Sequence, residues 1–382
     1  MMNVSAKTPS IVATLGPASE APKIQRDLAE VVDRFRLNAS HLDPSSLDRW
    51  LSGLTDLYRD IGRDLPVVVD LQGAKMRVGD LPAPLRIDVG EIVVLVFAGP
   101  EPRLGASASE PSASEASASE ASDLSDDVLL TIPTPHRELY AAIQPGERLL
   151  LDDARIEFRV EGVSREAVSH EVVPSRAPDR VSRIAAMASP YITARVLRGG
   201  LLRSRKSLNR AEHPIPTRDI TPRDAAMIDV ALRYPFTEFA FSFVHDGHEA
   251  ALLRPRCSGR RLIAKVERPE AFEHLAAIAE AFDEVWLARG DLGAQGGIFR
   301  LGALQDRFAR AHREIFSDTP ALLAGQVLEH LTHHEEATRA EIVGLHDALV
   351  SGYDGVVLSD ETAVGHHVDA VTRLLGAWRK SL

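Results

Sequence analysis

Short apolar runs bounded by turn residues recur along the chain: "SIVATLG" (10–16), "FRLNAS" (35–40), "VVVDLQ" (67–72), "FAFSFV" (239–244), "LIAKVE" (262–267), "VWLARG" (285–290), "ALLAGQ" (321–326) and "GVVLSD" (355–360). Such near-continuous runs are the mark of strands covered on both faces. Between them stand segments with apolar residues every three or four positions, such as "SSLDRWLSGLTDLYRDI", "PRDAAMIDVALRY", "PEAFEHLAAIAEAF" and "RAEIVGLHDALVSG", the helical period. Eight strands alternating with helices predict an α/β fold, a (β/α)8 barrel of the TIM type rather than an open sheet. The interval after the third strand breaks this rhythm. There "LRIDVGEIVVLVF", "RLLLDDARIEFRVEGV", "AVSHEVV" and "YITARVLRGG" alternate with period two and carry no long helix. They predict a small antiparallel β-barrel domain, residues 79–205, inserted after the third strand of a barrel built from 1–78 and 206–382.

A length of 382 residues accommodates one large domain and a smaller one. The single Cys257 excludes a disulfide framework, and no Cys/His group has zinc spacing, so a reducing, cytoplasmic compartment is expected. The opening "MMNVSAKTPS" has no apolar stretch and no run is long enough to span a membrane, so no membrane partner is expected. A net charge of −11, from 44 basic and 55 acidic residues, repels nucleic acid, and any anion site must come from placed residues. The tract "GASASEPSASEASASEASDLSDD" (105–127) has one Leu and no aromatic residue. It cannot bury enough apolar surface to offset ordering, and reads as a disordered loop insertion rather than a docking tract.

In such a barrel, chemistry gathers where strands end. The strand ends here carry Arg36, Asn38, Ser40 and His41, then Asp70, Ser242, Lys265 with Glu267, Arg289 with Asp291, Gln326, and Ser359 with Asp360 and Glu361. A ring of alternating carboxylates and cations is costly to desolvate unless metal and anion fill it, and phosphate with a divalent metal does so. Glu267 and Asp291, on neighbouring strands, offer hard oxygens suited to magnesium or manganese. Lys265, two residues before Glu267, falls on the same side of its strand. Plainer readings stand beside these. Asn38, Ser40 and His41 would cap the next helix, Lys206 would sit in a solvated hinge, and His330, His333 and His334 form a solvated helix end rather than a metal site. Trp286 and Phe243 read as barrel filling.

Through "IVATLGPAS", "RLNASH", "DLQGAKMRVG", "LLDDARIEF", "SRKSLN", "IAKVERPE", "ARGDLG", "GQVLE", "TRAE" and "LSDETA", in that order, the chain resembles the pyruvate kinase family over nearly its whole length. The resemblance implies a barrel with an inserted β domain as a mobile lid, and phosphoryl transfer between phosphoenolpyruvate and ADP, with phosphoenolpyruvate or pyruvate and ADP or ATP as partners. Carried over by motif, Lys265 contacts the transferring phosphoryl group, with Arg36 and Ser359 as further catalytic groups. Glu267 and Asp291 hold the divalent metal, and Ser242, the backbone N–H groups of Arg289, Gly290 and Asp291, and Gly325 meet the substrate. Pro17, Arg36, Asn38, His41, Arg77 and, from the lid, Lys206 meet nucleotide or phosphates. Any homo-oligomer is expected to form through the barrel.

Four features depart from the commoner family pattern. Many members bind potassium at a site matching Asn38, Ser40 and Asp70, with a Glu where Lys75 stands here. Lys75 resembles the potassium-independent branch, in which an ammonium group replaces the ion. "SFVR" reads "SFVH", with His245, and "VATQMLE" reads "LLAGQVLE", so Gly325 replaces a threonine hydroxyl linked to protonation of the enolate product. Slow turnover on phosphoenolpyruvate, recovered in Gly325→Thr, is therefore expected unless Ser359 or water supplies the proton. The sequence runs out after "LGAWRKSL", so regulation through a C-terminal sugar-phosphate domain is expected to be absent. Two alternatives stay open: a paralogue acting on another enol phosphate or 2-oxoacid in the space at Gly325, and a non-catalytic regulatory relative.

Overall fold

A computed structural model describes residues 8–73, 76–98, 130–152, 154–165, 190–210 and 220–382. The 105–127 tract, "AVSHEVV" (167–173) and Lys75 lie outside them. The chain forms two compact units, Met1–Lys75 with Pro216–Leu382, and Met76–Ile215. In chain order the described strands are β1 (Ser10–Leu15), β2 (Arg34–Asn38), β3 (Val67–Leu71), β4 (Leu85–Ile87), β5 (Ile92–Phe97), β6 (Leu130–Thr134), β7 (Arg148–Leu151), β8 (Ile156–Ser164), β9 (Tyr191–Arg198), β10 (Gly200–Leu202), β11 (Leu208–Arg210), β12 (Thr237–Phe241), β13 (Leu262–Val266), β14 (Glu284–Ala288), β15 (Ala321–Ala324) and β16 (Gly355–Leu358).

In the first unit eight parallel strands close in the order β1-β16-β15-β14-β13-β12-β3-β2, with helices between them, so the (β/α)8 barrel is present. The strands look uniformly apolar in sequence because both faces are buried, but the faces differ. Alternate residues such as Ile11, Val67, Val69, Leu262 and Ala264 pack outward against helix residues including Leu47, Leu51, Met227 and Phe308. The intervening ones, Val12, Val68, Ala240, Ile263, Trp286, Leu322 and Val357, fill the barrel interior. Continuing by twos up the inward face of β3 gives Asp70, and up that of β13 gives Lys265, then Glu267. The N-terminal end is closed by Arg34, which donates to Glu284 at 2.7 Å and Glu238 at 3.3 Å, while Trp286 Nε1 donates to Glu284 at 2.5 Å. Ion pairs at that end leave the C-terminal rim as the place for chemistry.

The second unit is a six-stranded sheet, β11-β7-β8-β9-β5-β6, with a two-stranded ribbon, β10-β4, and no closed barrel among the described residues. Its core includes Val93, Leu95, Ile132, Tyr140, Phe158 and Val196. It departs from the antiparallel expectation at one pair, since β5 and β6 run parallel, Val93 opposite Leu130. A parallel pair needs a long crossover, and residues 98–129, which include the Ser/Ala/Glu tract, provide the length. The unit is also wider than 79–205. Arg77 bridges Ser207 antiparallel, and the N–H groups of Val78 and Leu208 donate to the carbonyls of Lys206 and Met76 at 2.9 Å each, so both borders pack with the insert's sheet.

Candidate active site

At the barrel rim, four buried charges form one network. Asp70 Oδ2 accepts from Arg36 Nε at 2.8 Å and Nη2 at 2.6 Å and lies 3.0 Å from Lys265 Nζ. Lys265 Nζ is also 3.0 Å from Glu267 Oε1 and donates to Ser242 Oγ at 3.0 Å. Ser242 Oγ reaches Asp70 Oδ1 at 3.3 Å and donates to the carbonyl of Leu71 at 2.9 Å, and Glu267 Oε2 accepts the N–H of Phe243 at 2.8 Å. Desolvation works against charge on Asp70, but Lys265 and then Arg36 outweigh it and hold the carboxyl below its usual range. Desolvation likewise opposes charge on Lys265, and Asp70 and Glu267 overcome it, so the group stays an ammonium. The rim is thus ionic and internally balanced, with Asp70 taken up by Arg36 and Lys265.

The loops that carry these groups are tied by buried backbone contacts. Arg36 Nη1 donates to Thr14 Oγ1 at 2.8 Å, which donates to the carbonyl of Leu358 at 2.6 Å. The buried carboxylate of Glu361 accepts the N–H groups of Leu328 at 3.0 Å and Ser359 at 2.9 Å, joining the ends of β15 and β16. Asp224, near the start of the helix Pro222–Ala231, accepts the N–H groups of Gln72 at 3.0 Å and Gly73 at 3.1 Å, and burial raises its pKa to about 6. Gly73 has φ +60° and passes so close to Ser242 that a Cβ would fall 2.3 Å from its carbonyl oxygen. Arg223 Nη2 donates to the carbonyl of Leu42 at 2.8 Å, bracing the short helix Ala39–His41. Sequence reasoning missed Arg223 and Asp224 because "TPRDAAM" reads as an ordinary helix start, with Thr221 as cap.

The helix Arg289–Gly296 begins directly at the end of β14, so the N–H groups of Arg289, Gly290 and Asp291 belong to its free first turn. Asp291 is half-buried in that turn. Arg289 donates to the carbonyl of Gly325 from Nε at 2.9 Å and Nη2 at 2.6 Å, and to that of Gln326 at 2.7 Å. A Cβ on Gly325 would lie 3.4 Å from Gly290 N and 3.7 Å from Arg289 N, so it would stand over those amides without a clash. The obstacle is conformational, because φ is +85°, where β-branched residues are strained. The substitution Gly325→Thr would therefore strain this loop. Gln326 (φ +53°), in the same loop, and Phe243 (φ +62°) are also left-handed, so two strand-end loops of the rim, after β15 and after β12, hold strained turns.

The remaining expected residues are dispersed. Asn38 Oδ1 accepts the N–H of Ser40 at 3.1 Å, the capping role, and His41 is exposed at the end of that turn. Pro17 borders a cavity of about 490 Å³ with Ala18, Ile24, Val364 and His366. In the second unit, Arg77 donates its N–H to His136 Nε2 at 2.9 Å and its Nη1 to the carbonyl of Arg205 at 2.8 Å, and Lys206 Nζ lies 2.7 Å from Asp152 Oδ1. His136 and Asp152 were not anticipated, although Asp152 stands in the "LLDDARIEF" motif. His330 and His334 stack at 3.9 Å on the exposed surface. Among the described residues, only Asp246, His248 and Glu249 bring three potential ligand atoms within 4.8 Å, and there Asp246 and Glu249 accept backbone N–H groups of their own loop.

The family profile described as "Pyruvate kinase, barrel domain" matches residues 181–371. Pyruvate kinase from Agrobacterium vitis is 30% identical over 93% of this chain, which covers 65% of that relative. The enzyme of the same name from Methylorubrum extorquens is 30% identical over 93% of the chain, covering 64% of its length. That from Thermococcus litoralis is 27% identical over 96%, covering 68%. The chain belongs to the pyruvate kinase family, and it spans just under two thirds of the length of the first two of these relatives.

Proposed function

We propose that this protein moves a phosphoryl group between phosphoenolpyruvate and ADP with Mg2+ or Mn2+, with no requirement for potassium. The observation that carries the reading is the balanced network of Lys265, Asp70, Arg36 and Glu267 at the rim of the family's barrel. Its two cations and two carboxylates already cancel, which suits entry of a metal and an anion together rather than of either alone. Glu267 and Asp291 fit a divalent ion as hard carboxylates, with Glu267 buried and oriented by Lys265 and the Phe243 N–H. When bound, the ion neutralises charge on the substrate oxygens.

The reaction asks the protein for positioning and charge neutralisation. In this reading Lys265 faces the moving phosphoryl group with its ammonium, Arg36 adds a second positive charge, and Ser242 fixes the direction of the Lys265 N–H bonds. The N–H groups of Arg289, Gly290 and Asp291 hold the substrate carboxylate beside Gly325. Gly325 offers no proton, so Ser359 or water returns one to the enolate. Nucleotide or phosphate contacts are assigned to Pro17, Asn38 and His41 in the barrel and, separately, to Arg77 and Lys206 in the insert. Lys75 takes the place of a monovalent ion. The relatives named pyruvate kinase support this assignment. A cytoplasmic location and self-association through the barrel are further parts of the proposal. Among the described residues no helix is long and apolar enough to cross a membrane. The open face at Gly325 favours, as a second reading, an enol phosphate with a larger substituent. A coupled assay with phosphoenolpyruvate, ADP and Mg2+, beside a screen of other 2-oxoacids, separates the two. Glu267→Gln and Asp291→Asn should abolish turnover in folded protein, and normal Mg2+-dependent activity in both would remove the site.

A further inference from the structure

Directly after Glu267 stands Arg268, whose side chain is 3% exposed. Its Nε and Nη1 have no hydrogen-bond partner among the described residues. The guanidinium lies over the ring of Phe243, 5.3 Å from the ring centre. Burial works against its charge, and Glu270, Glu249 and Glu267 favour it from a distance. A buried guanidinium with two of its three nitrogens unpartnered does little for stability, since an apolar side chain of similar volume would avoid its desolvation cost. Its guanidinium has a specific contact with the aromatic face.

That face belongs to a residue with an unusual backbone. Phe243 has φ +62°, and in this conformation its N–H points at Glu267 Oε2 from 2.8 Å. Glu267 Oε1 is fixed from its other side by Lys265. The direction of the Glu267 carboxylate therefore depends on a left-handed turn that a bulky residue does not hold without restraint. Arg268 lies on the ring of that same residue.

We propose that Arg268 is a positioning residue for Glu267: its guanidinium holds the Phe243 ring, the ring holds the left-handed turn, and the turn's N–H aims the carboxylate toward a divalent cation. The inference rests on the metal role of Glu267 given above. It also opposes a purely electrostatic account, in which a positive charge beside Glu267 weakens metal binding and its removal strengthens it.

The test is direct binding of Mn2+ to the purified full chain, with free ion followed by electron paramagnetic resonance and no nucleotide or substrate present. Arg268→Lys keeps the charge and loses the planar stack; Arg268→Met keeps apolar volume and loses both. Both should weaken Mn2+ binding about tenfold or more, the scale of lost outer-shell support at metal sites, while the melting temperature of Arg268→Met stays level or rises. Phe243→Leu should weaken binding similarly and add little when combined with Arg268→Met, because the two act on one contact. Tighter binding in Arg268→Met with no change in Arg268→Lys would replace positioning by electrostatics. Unchanged binding in both, additive losses with Phe243→Leu, or no Mn2+ binding by the wild type would each overturn the proposal. Mn2+ binding that follows this pattern in a protein inert toward phosphoenolpyruvate would leave the positioning role intact and remove the kinase reading.

Discussion

Arg289 lays its guanidinium on the carbonyl of Gly325, with bonds of 2.9 and 2.6 Å, and reaches the next carbonyl at 2.7 Å. The residue that opens one helix therefore fixes the loop at the end of the neighbouring strand. Burial disfavours its charge, and only neutral carbonyls receive its hydrogen bonds. The Gly325 loop is thus held with its bare face toward the amides of Arg289 and Gly290.

Substitution of Gly325 should cost stability through its backbone. A side chain at φ +85° is expected to cost about 1–2 kcal/mol as Ala and more as Thr. Urea denaturation measures this, and KM for the 2-oxoacid should rise as the new Cβ covers the amides. A Gly325→Thr protein that is as stable as wild type and turns over faster would show that the loop relaxes.

Lys265→Met should be severe in two ways. Asp70 would keep Arg36, while Glu267 would lose its 3.0 Å contact with the Lys265 ammonium in a buried site, which should lower stability. Turnover should vanish. Adding Glu267→Gln should restore part of the stability and none of the activity, and recovery of turnover in the double variant would remove Lys265 from the chemistry.

Asp224 makes stability depend on pH in an unusual direction. Its folded pKa is raised from 3.8 to about 6, so its contribution is fully present below pH 3.8 and is lost as pH rises through about 6. The stability difference between wild type and the non-titrating Asp224→Asn should fall between pH 4 and pH 6 and level off above about 7. A difference that grows over that range would mean that the Gln72 and Gly73 N–H bonds hold the carboxylate ionised.

Potassium offers a test of Lys75. Activity should stay nearly flat from potassium-free buffer to high potassium, and Lys75→Glu should create a requirement for the ion. A wild-type enzyme inert without potassium would show that Lys75 serves another purpose.

What the sequence disclosed follows from how local each signal is. The eight barrel strands were legible because β-branched runs between helical periods need no knowledge of contacts. The common side of Lys265 and Glu267 was legible because strand geometry puts residues two apart on one face. The pairing of Arg36 with Asp70 was not, since it depends on the register that sets Asn38 beside Asp70 across two strands. Asp224 and Arg223 carry no local mark, because an acid and a base in a first helical turn are ordinary there. The parallel β5 and β6 pair was hidden because the intervening tract has no pattern. Gly325 was found as a missing hydroxyl; its positive φ, which decides what can replace it, is invisible in the letters.

The stapling of Met76–Val78 to Lys206–Leu208 bears on how such a chain diversifies. Because the entering and leaving segments pair with each other, the insert has the topology of a bud on a two-stranded stem. Material gained or lost beyond the stem changes no register among the eight strands. A lineage can therefore lengthen, shorten or exchange this module while the barrel stays under separate selection, and a laboratory recombining such genes would find its natural crossover points within those two triplets.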